Sequence, residues 1–263
     1  MTVTLLKLGG SLITDKNRAH TARPELIRRL AGEIREALDA EPFPLIIGHG
    51  SGSFGHIPAK KYGTRNEVRT GAEWAGFAEV HSEATALNRI FIDILREAGL
   101  PVLSFVPMDC VRSSDGKVNR WDTDVITDSI TRGLIPVIFG DTVFDSVRGG
   151  TILSTEDLFL HLCAVLPEPP RILLAGLESG VWKDYPKNTE LIDTIRACSG
   201  DTEAYIRGSE FTDVTGGMQE KVHLMKTLIA GGQAASAVIF SGMQPGNVKD
   251  ALTGSRTGTR IIP

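Results

Sequence analysis

Short apolar runs alternate along this chain with segments of helical period, and that alternation narrows the fold more than any other feature. Residues 3–8, 45–47, 102–106, 135–139, 171–175 and 237–240 are each short, apolar and bounded by turn residues, as buried strands are. Between them lie helical patterns. Residues 24–38 start with Pro24 and place Leu26, Ile27, Leu30, Ile34 and Leu38 on one face. Residues 73–98 read as one long helix closed by Gly99 and followed by Pro101, and 124–131 and 219–229 as two more. "STEDLFLHLCAVL" spaces Ser154 and Asp157 as a capping box and then runs apolar on nearly all sides, which predicts a buried helix. Alternation this dense predicts α/β architecture: an open αβα sandwich with a mostly parallel sheet, helices on both faces. "DTVFDSVRGGTILS" reads as a β-hairpin turning at Gly149-Gly150, and "GTRIIP" as a last extended piece.

A chain of 263 residues fits one compact unit of two joined lobes. The coarse break falls near Arg171, with residues 1–170 carrying the first Gly-rich turns and 171–263 a second Gly-rich patch. A net charge of −4, with no basic stripe interleaved by aromatics, argues against a nucleic-acid partner. Cys110, Cys163 and Cys198 are scattered and odd in number, so they read as reduced, mostly buried thiols. No window approaches eighteen continuous apolar residues and no leader pattern opens the sequence, so the expectation is a cytoplasmic protein with no membrane partner.

Four segments carry the chemistry. "KLGGS" puts Lys7 on a strand two residues before a Gly pair, where an ammonium has either an anionic partner or an edge-strand escape to water. "HGSGSFGH", residues 49–56, follows a strand; it is either a mobile turn or a loop stripped of side chains so that backbone N–H groups face a ligand. Lys16 stands five residues beyond Ser11. "TGGMQEK" puts Lys221 in the opening turns of a helix, where the dipole disfavours a cation unless an anion lies in front of both. Taken together, these glycines and lysines describe a site for several phosphoryl groups. A P-loop motif is absent, and Gly50-x-Gly52-x-x-Gly55 lacks the acidic residue a dinucleotide site needs some twenty positions on.

In order and over essentially the whole chain, Lys7-Leu8-Gly9-Gly10-Ser11, His49-Gly50-Ser51-Gly52, Gly140-Asp141 and Thr215-Gly216-Gly217-Met218 with Lys221 resemble the amino acid kinase superfamily. Gly9 to Lys16 and the ending Phe54-Gly55-His56 narrow the resemblance to the isopentenyl phosphate kinases; relatives acting on carboxylates or nucleotides generally lack that histidine. The resemblance implies an ATP- and Mg²⁺-dependent kinase that phosphorylates isopentenyl phosphate to the diphosphate, working as a homodimer. Lys7, Gly9, Gly10, Ser11 and Gly52 would cradle ATP, joined by Gly176, Gly217 and Lys221. Ser51, His56 and Thr155 would meet the acceptor, Thr155 standing where the family has glycine. Lys16 and Lys221, with Lys7 and His56, would stabilise the transferring group, and Asp141 and Asp157 lie where the superfamily organises lysines or metal. Trp74, Phe77, Val80 and His81 are candidate walls of an acceptor pocket. The chain departs from the family pattern at Ala175-Gly176 and Glu178, which replace a Thr-Asp pair and a second Asp. A phosphonate acceptor such as fosfomycin, or a non-catalytic nucleotide sensor, are the alternatives this leaves.

Overall fold

The computed structural model describes residues 2–198 and 217–263. Its main sheet has eight strands in the order β12-β14-β13-β9-β1-β2-β6-β3. The central five are β13 (Ser236–Ser241), β9 (Arg171–Gly176), β1 (Thr4–Leu8), β2 (Leu45–His49) and β6 (Ile135–Phe139), all parallel to one another. One edge is β3 (Val102–Ser104); at the other, β14 (Thr259–Ile262) runs antiparallel to β13 and parallel to β12 (Thr194–Arg196).

Consecutive strand residues face opposite ways, and both faces are apolar, which is why the strands read as continuous runs. Leu5, Ile46, Ile138, Ile172 and Leu174 pack with Leu158, Phe159, Leu162, Val222, Met225 and Ile229. These come from α7 (Thr155–Val165) and α8 (Met218–Ala230). Leu6, Leu8, Leu45, Ile47 and Leu173 face the other layer, made of α2 (Pro24–Ala40), α4 (Gly71–Glu97) and α9 (Asn247–Thr253), through Leu30, Ile34, Phe91, Leu95 and Leu252. Both layers are buried, so the αβα sandwich is as the alternation predicts.

Several local readings are corrected. The Gly-rich octet is not a free loop: Gly52–Tyr62 is a helix, α3, with Ser51 at its N-cap and Pro58 inside it. The Gly pair at 9–10 opens a single helical turn, α1 (Gly10–Ile13). α4 starts two residues before the predicted position because Thr70 and Glu73 form a reciprocal capping box. The hairpin of β7 (Asp141–Asp145) and β8 (Gly149–Leu153) turns at Ser146-Val147-Arg148, not at Gly149-Gly150. The Asp145 carboxylate makes that turn by accepting the N–H groups of Val147 and Arg148, both at 2.9 Å. A second hairpin, β4 (Val111–Ser114) and β5 (Lys117–Trp121), joins these two strands in a four-stranded sheet. Cys163 is buried, whereas Cys198 is exposed, contrary to the expectation of mostly buried thiols. Among the described residues no helix is long and apolar enough to cross a membrane.

Candidate active site

Five parallel strands end at one place. Gly9 follows β1, Gly50 follows β2, Gly140 follows β6, Gly176 closes β9 and Phe240 lies near the end of β13; all five line a cavity of about 330 Å³. The C-terminal edge of a parallel sheet is where the connecting helices begin, so their N–H ends point into the same space. Ser51 and Gly55 at the start of α3, Ser154, Thr155 and Glu156 at the start of α7, and Gly217 and Met218 at the start of α8 all line the cavity. Three helix N-termini aimed at one cavity give a strongly anion-favouring field.

Most of the residues singled out in the sequence are brought together here. Lys7, Gly9, Gly10, Ser11, Lys16, Ser51, His56, Thr155, Gly176, Gly217 and Lys221 line this one space. Gly52 does not; its lack of a side chain lets two segments of the chain approach. A Cβ on Gly10 would lie 2.5 Å from Gly52 N, and one on Gly52, whose φ is +49°, would lie 2.2 Å from Thr14 Oγ1. Glycine at both positions lets the turns after β1 and β2 lie back to back. Thr215 and Gly216 lie outside the described residues.

The loop base is fixed by His49, which is fully buried. Its ring stacks on Phe139 (5.4 Å between centroids) and leans on Phe91 (4.7 Å), and its Nε2 donates to Asn88 Oδ1 (3.1 Å). Burial holds this imidazole below its ordinary pKa, so it is neutral and adds no competing cation. Its carbonyl accepts the Thr155 hydroxyl (2.6 Å) and Gly140 N–H (3.2 Å), tying together three of the chain segments that line the cavity.

Two charged lining residues escaped the sequence reading. Glu156 Oε1 is in direct contact with Lys7 Nζ, each side chain 12% exposed. Burial raises the Glu156 pKa, but the ammonium groups of Lys7 and Lys221 outweigh it and hold the group below the ordinary carboxylate range. The second is Arg65, just beyond α3. Glu156 was hidden in "STED" by the capping signal of its neighbours, and Arg65 by a polar loop with no periodicity.

The acidic candidates sit elsewhere. Asp157 Oδ2 accepts from Ser154 N and Ser154 Oγ (both 2.7 Å), completing the capping box of α7. Asp141 is buried, and both its oxygens lie 3.1 Å from Nδ1 of His81. Burial raises the Asp141 pKa, and the His81 pKa is raised by its hydrogen bond to Asp141. Neither aspartate lines the cavity, and among the described residues no group of three or more His, Cys, Asp or Glu could hold a metal ion. Of the candidate pocket walls only Val80 lines it; Trp74 and Phe77 pack with each other (5.2 Å between centroids) and with Phe144 (5.8 and 5.4 Å) instead.

Residues 2–241 match the model of the Amino acid kinase family. The chain is 34% identical to the isopentenyl phosphate kinase of Methanocaldococcus jannaschii, with 98% of each chain covered. Identity to the isopentenyl phosphate kinase of Methanothermobacter thermautotrophicus is 33%, again with 98% of each covered. A solved structure described as "X-ray structures of isopentenyl phosphate kinase" superposes with a TM-score of 0.78 at 29% identity, covering 98% of this chain and all of the other.

Proposed function

The chain belongs to the amino acid kinase family and, within it, to the isopentenyl phosphate kinases, and from that premise we propose how its cavity transfers the γ-phosphoryl group of ATP to isopentenyl phosphate. One observation carries the reading: motif residues scattered from Lys7 to Lys221 line a single cavity into which three helix N-termini point. Phosphoryl transfer needs position and positive charge around the equatorial oxygens more than it needs a strong base. A phosphate monoester is already nucleophilic, so the chemistry needs no aspartate poised as a base.

Residues 1–170 supply the acceptor end and the Gly-rich phosphate turns, and 171–263 the rest of the nucleotide end. The turn after β1 cradles ATP phosphates with the backbone of Gly9, Gly10 and Ser11, and Lys7 and Lys221 face them. Gly176 and Gly217 lie at the nucleotide end. Lys16 and Lys221 meet the charge that develops on the moving group, and Glu156 keeps Lys7 and Lys221 apart and oriented until phosphate arrives. Ser51 and His56 hold the acceptor's non-transferring phosphate, while Ala59, Val80 and Ile152 form an apolar wall suited to a short alkyl chain. Thr155 lies beside them with its hydroxyl committed to His49. A resident metal does not fit the described lining, where Glu156 and Glu178 are the carboxylates and no group of three or more His, Cys, Asp or Glu among the described residues could hold an ion, so Mg²⁺ enters with the nucleotide as part of the substrate. A homodimer working in the cytoplasm, with neither nucleic acid nor membrane as partner, belongs to the same proposal. Light scattering on the purified protein tests the dimer.

The test is ADP release with isopentenyl phosphate, dimethylallyl phosphate, fosfomycin, N-acetylglutamate and UMP as acceptors. Isopentenyl phosphate is expected to give the highest kcat/KM. Preference for the carboxylate or the nucleotide overturns the assignment, preference for fosfomycin favours the phosphonate alternative, and ATP binding with no turnover of any acceptor favours the sensor. His56→Ala is expected to raise acceptor KM at least ~10-fold, about 1.4 kcal/mol, because its contact exists before and during transfer. The KM for ATP should stay nearly unchanged.

A further inference from the structure

The segment from Gly63 to Thr70 has no regular structure, yet it brings one cation to the cavity. Arg65 lines the space together with His56 and Ala59 of α3 on one side and Ile152, Ser154 and Thr155 on the other. Of the described cations that line the cavity, Lys7, Lys16 and Lys221 come from the turns assigned to ATP and the moving group, and Arg65 alone comes from the acceptor side.

Its guanidinium is lightly engaged. Arg65 Nη2 lies 3.6 Å from Asp157 Oδ2, beyond hydrogen-bond distance, and that oxygen already accepts two hydrogen bonds from Ser154. The side chain is 42% exposed, so meeting an anion in the cavity requires little desolvation. The backbone around it is held without help from the side chain. The Arg65 carbonyl accepts the Thr151 hydroxyl at 2.7 Å and Arg148 Nη1 at 3.4 Å, and Val68 N donates to the Arg148 carbonyl at 2.9 Å. A residue whose main chain is anchored and whose five N–H donors face a ligand space is suited to recognising a planar pair of phosphate oxygens.

We propose that Arg65 is a specificity-determining residue for the acceptor: when the substrate binds, its guanidinium leaves Asp157 and pairs with the acceptor's non-transferring phosphate opposite His56. This rests on the reading of the acceptor end given above. Asp157 remains a capping residue of α7 and serves as the resting counter-charge. The contact is the same before and during transfer, so it acts on acceptor affinity and leaves the chemical step alone.

The experiment is steady-state kinetics of Arg65→Ala, Arg65→Lys and His56→Ala with isopentenyl phosphate and ATP, alongside melting temperatures. Arg65→Ala is expected to raise acceptor KM about 10-fold, with ATP KM and kcat within about 2-fold of wild type and an unchanged melting temperature. Arg65→Lys keeps the charge without the fork and should recover part of the loss. If His56→Ala raises acceptor KM and Arg65→Ala does not, the inference about Arg65 fails while the site reading stands. If neither variant moves it, the acceptor-end reading itself is wrong. Equal damage to both substrates' KM, or a lowered melting temperature in both Arg65 variants, would make Arg65 a loop-holding residue and overturn the proposal.

Discussion

Replacing Glu156 by glutamine tests the electrostatics of the cavity directly. The substitution keeps the shape of the side chain and removes its charge, so the ammonium of Lys7 is left against a neutral amide in a nearly dry site. Removing one partner of a buried ion pair costs about 3–5 kcal/mol. Both side chains here retain 12% exposure, which admits some water and points to the lower end, about 3 kcal/mol. In a protein of this size each kcal/mol moves the melting temperature by roughly 2–4 °C, so the ligand-free variant should melt about 6–12 °C below wild type. ATP supplies the missing anion, so the melting-temperature gain on adding saturating ATP should be larger in Glu156→Gln than in wild type. The sign with pH follows from the depressed pKa of Glu156. Its contribution is complete above the ordinary carboxylate range and is lost as pH falls through the folded-state value below it, so the variant should lack that part of the acid destabilisation. Differential scanning fluorimetry with and without ATP, from neutral to acid pH, reads all three. A ligand-free melting temperature within about 2 °C of wild type, with an equal gain from ATP, would refute the argument that Glu156 compensates Lys7.

Lys221→Ala should lower kcat by on the order of 10²–10³ with little change in acceptor KM, and near-normal turnover would make it a surface lysine at a helix start. Gly52→Ala puts a Cβ 2.2 Å from Thr14 Oγ1 at a φ of +49°, so it should destabilise the protein by about 2 kcal/mol or more, read by urea unfolding. Asp145 accepts hydrogen bonds from Ser113 Oγ and from the backbone N–H groups of Asp115, Gly116, Val147 and Arg148. Burial raises its pKa, but these donors outweigh it and hold the group far below the ordinary carboxylate value. Asp145→Asn should therefore lose about 2 kcal/mol at neutral pH, and its deficit against wild type should shrink as pH falls below the ordinary range, measured by urea midpoints.

The sheet was legible in the sequence because burial on both faces makes the central strands apolar along most of their length; Leu5 and Leu6 point to opposite layers and both are fully buried. The glycines were legible for the same kind of reason, since Gly10 and Gly52 stand where any side chain collides. A hairpin is also written in "SSDGKV", where Asp115 and Gly116 both have positive φ. What no local pattern determined is which charges meet. Glu156 and Lys7 are far apart in sequence and touch only because β1 and the start of α7 reach the same end of the sheet. Asp141 looked available until folding gave it to His81, whereas the helix cap made by Asp157 was already written in its spacing from Ser154. Arg65 sits in a stretch with no period, and its place over the cavity depends on a carbonyl held by Thr151, a residue 86 positions away. Local chemistry sets what a segment can become. Charge pairing acts through space, so only the packed structure decides which side chains face the substrate.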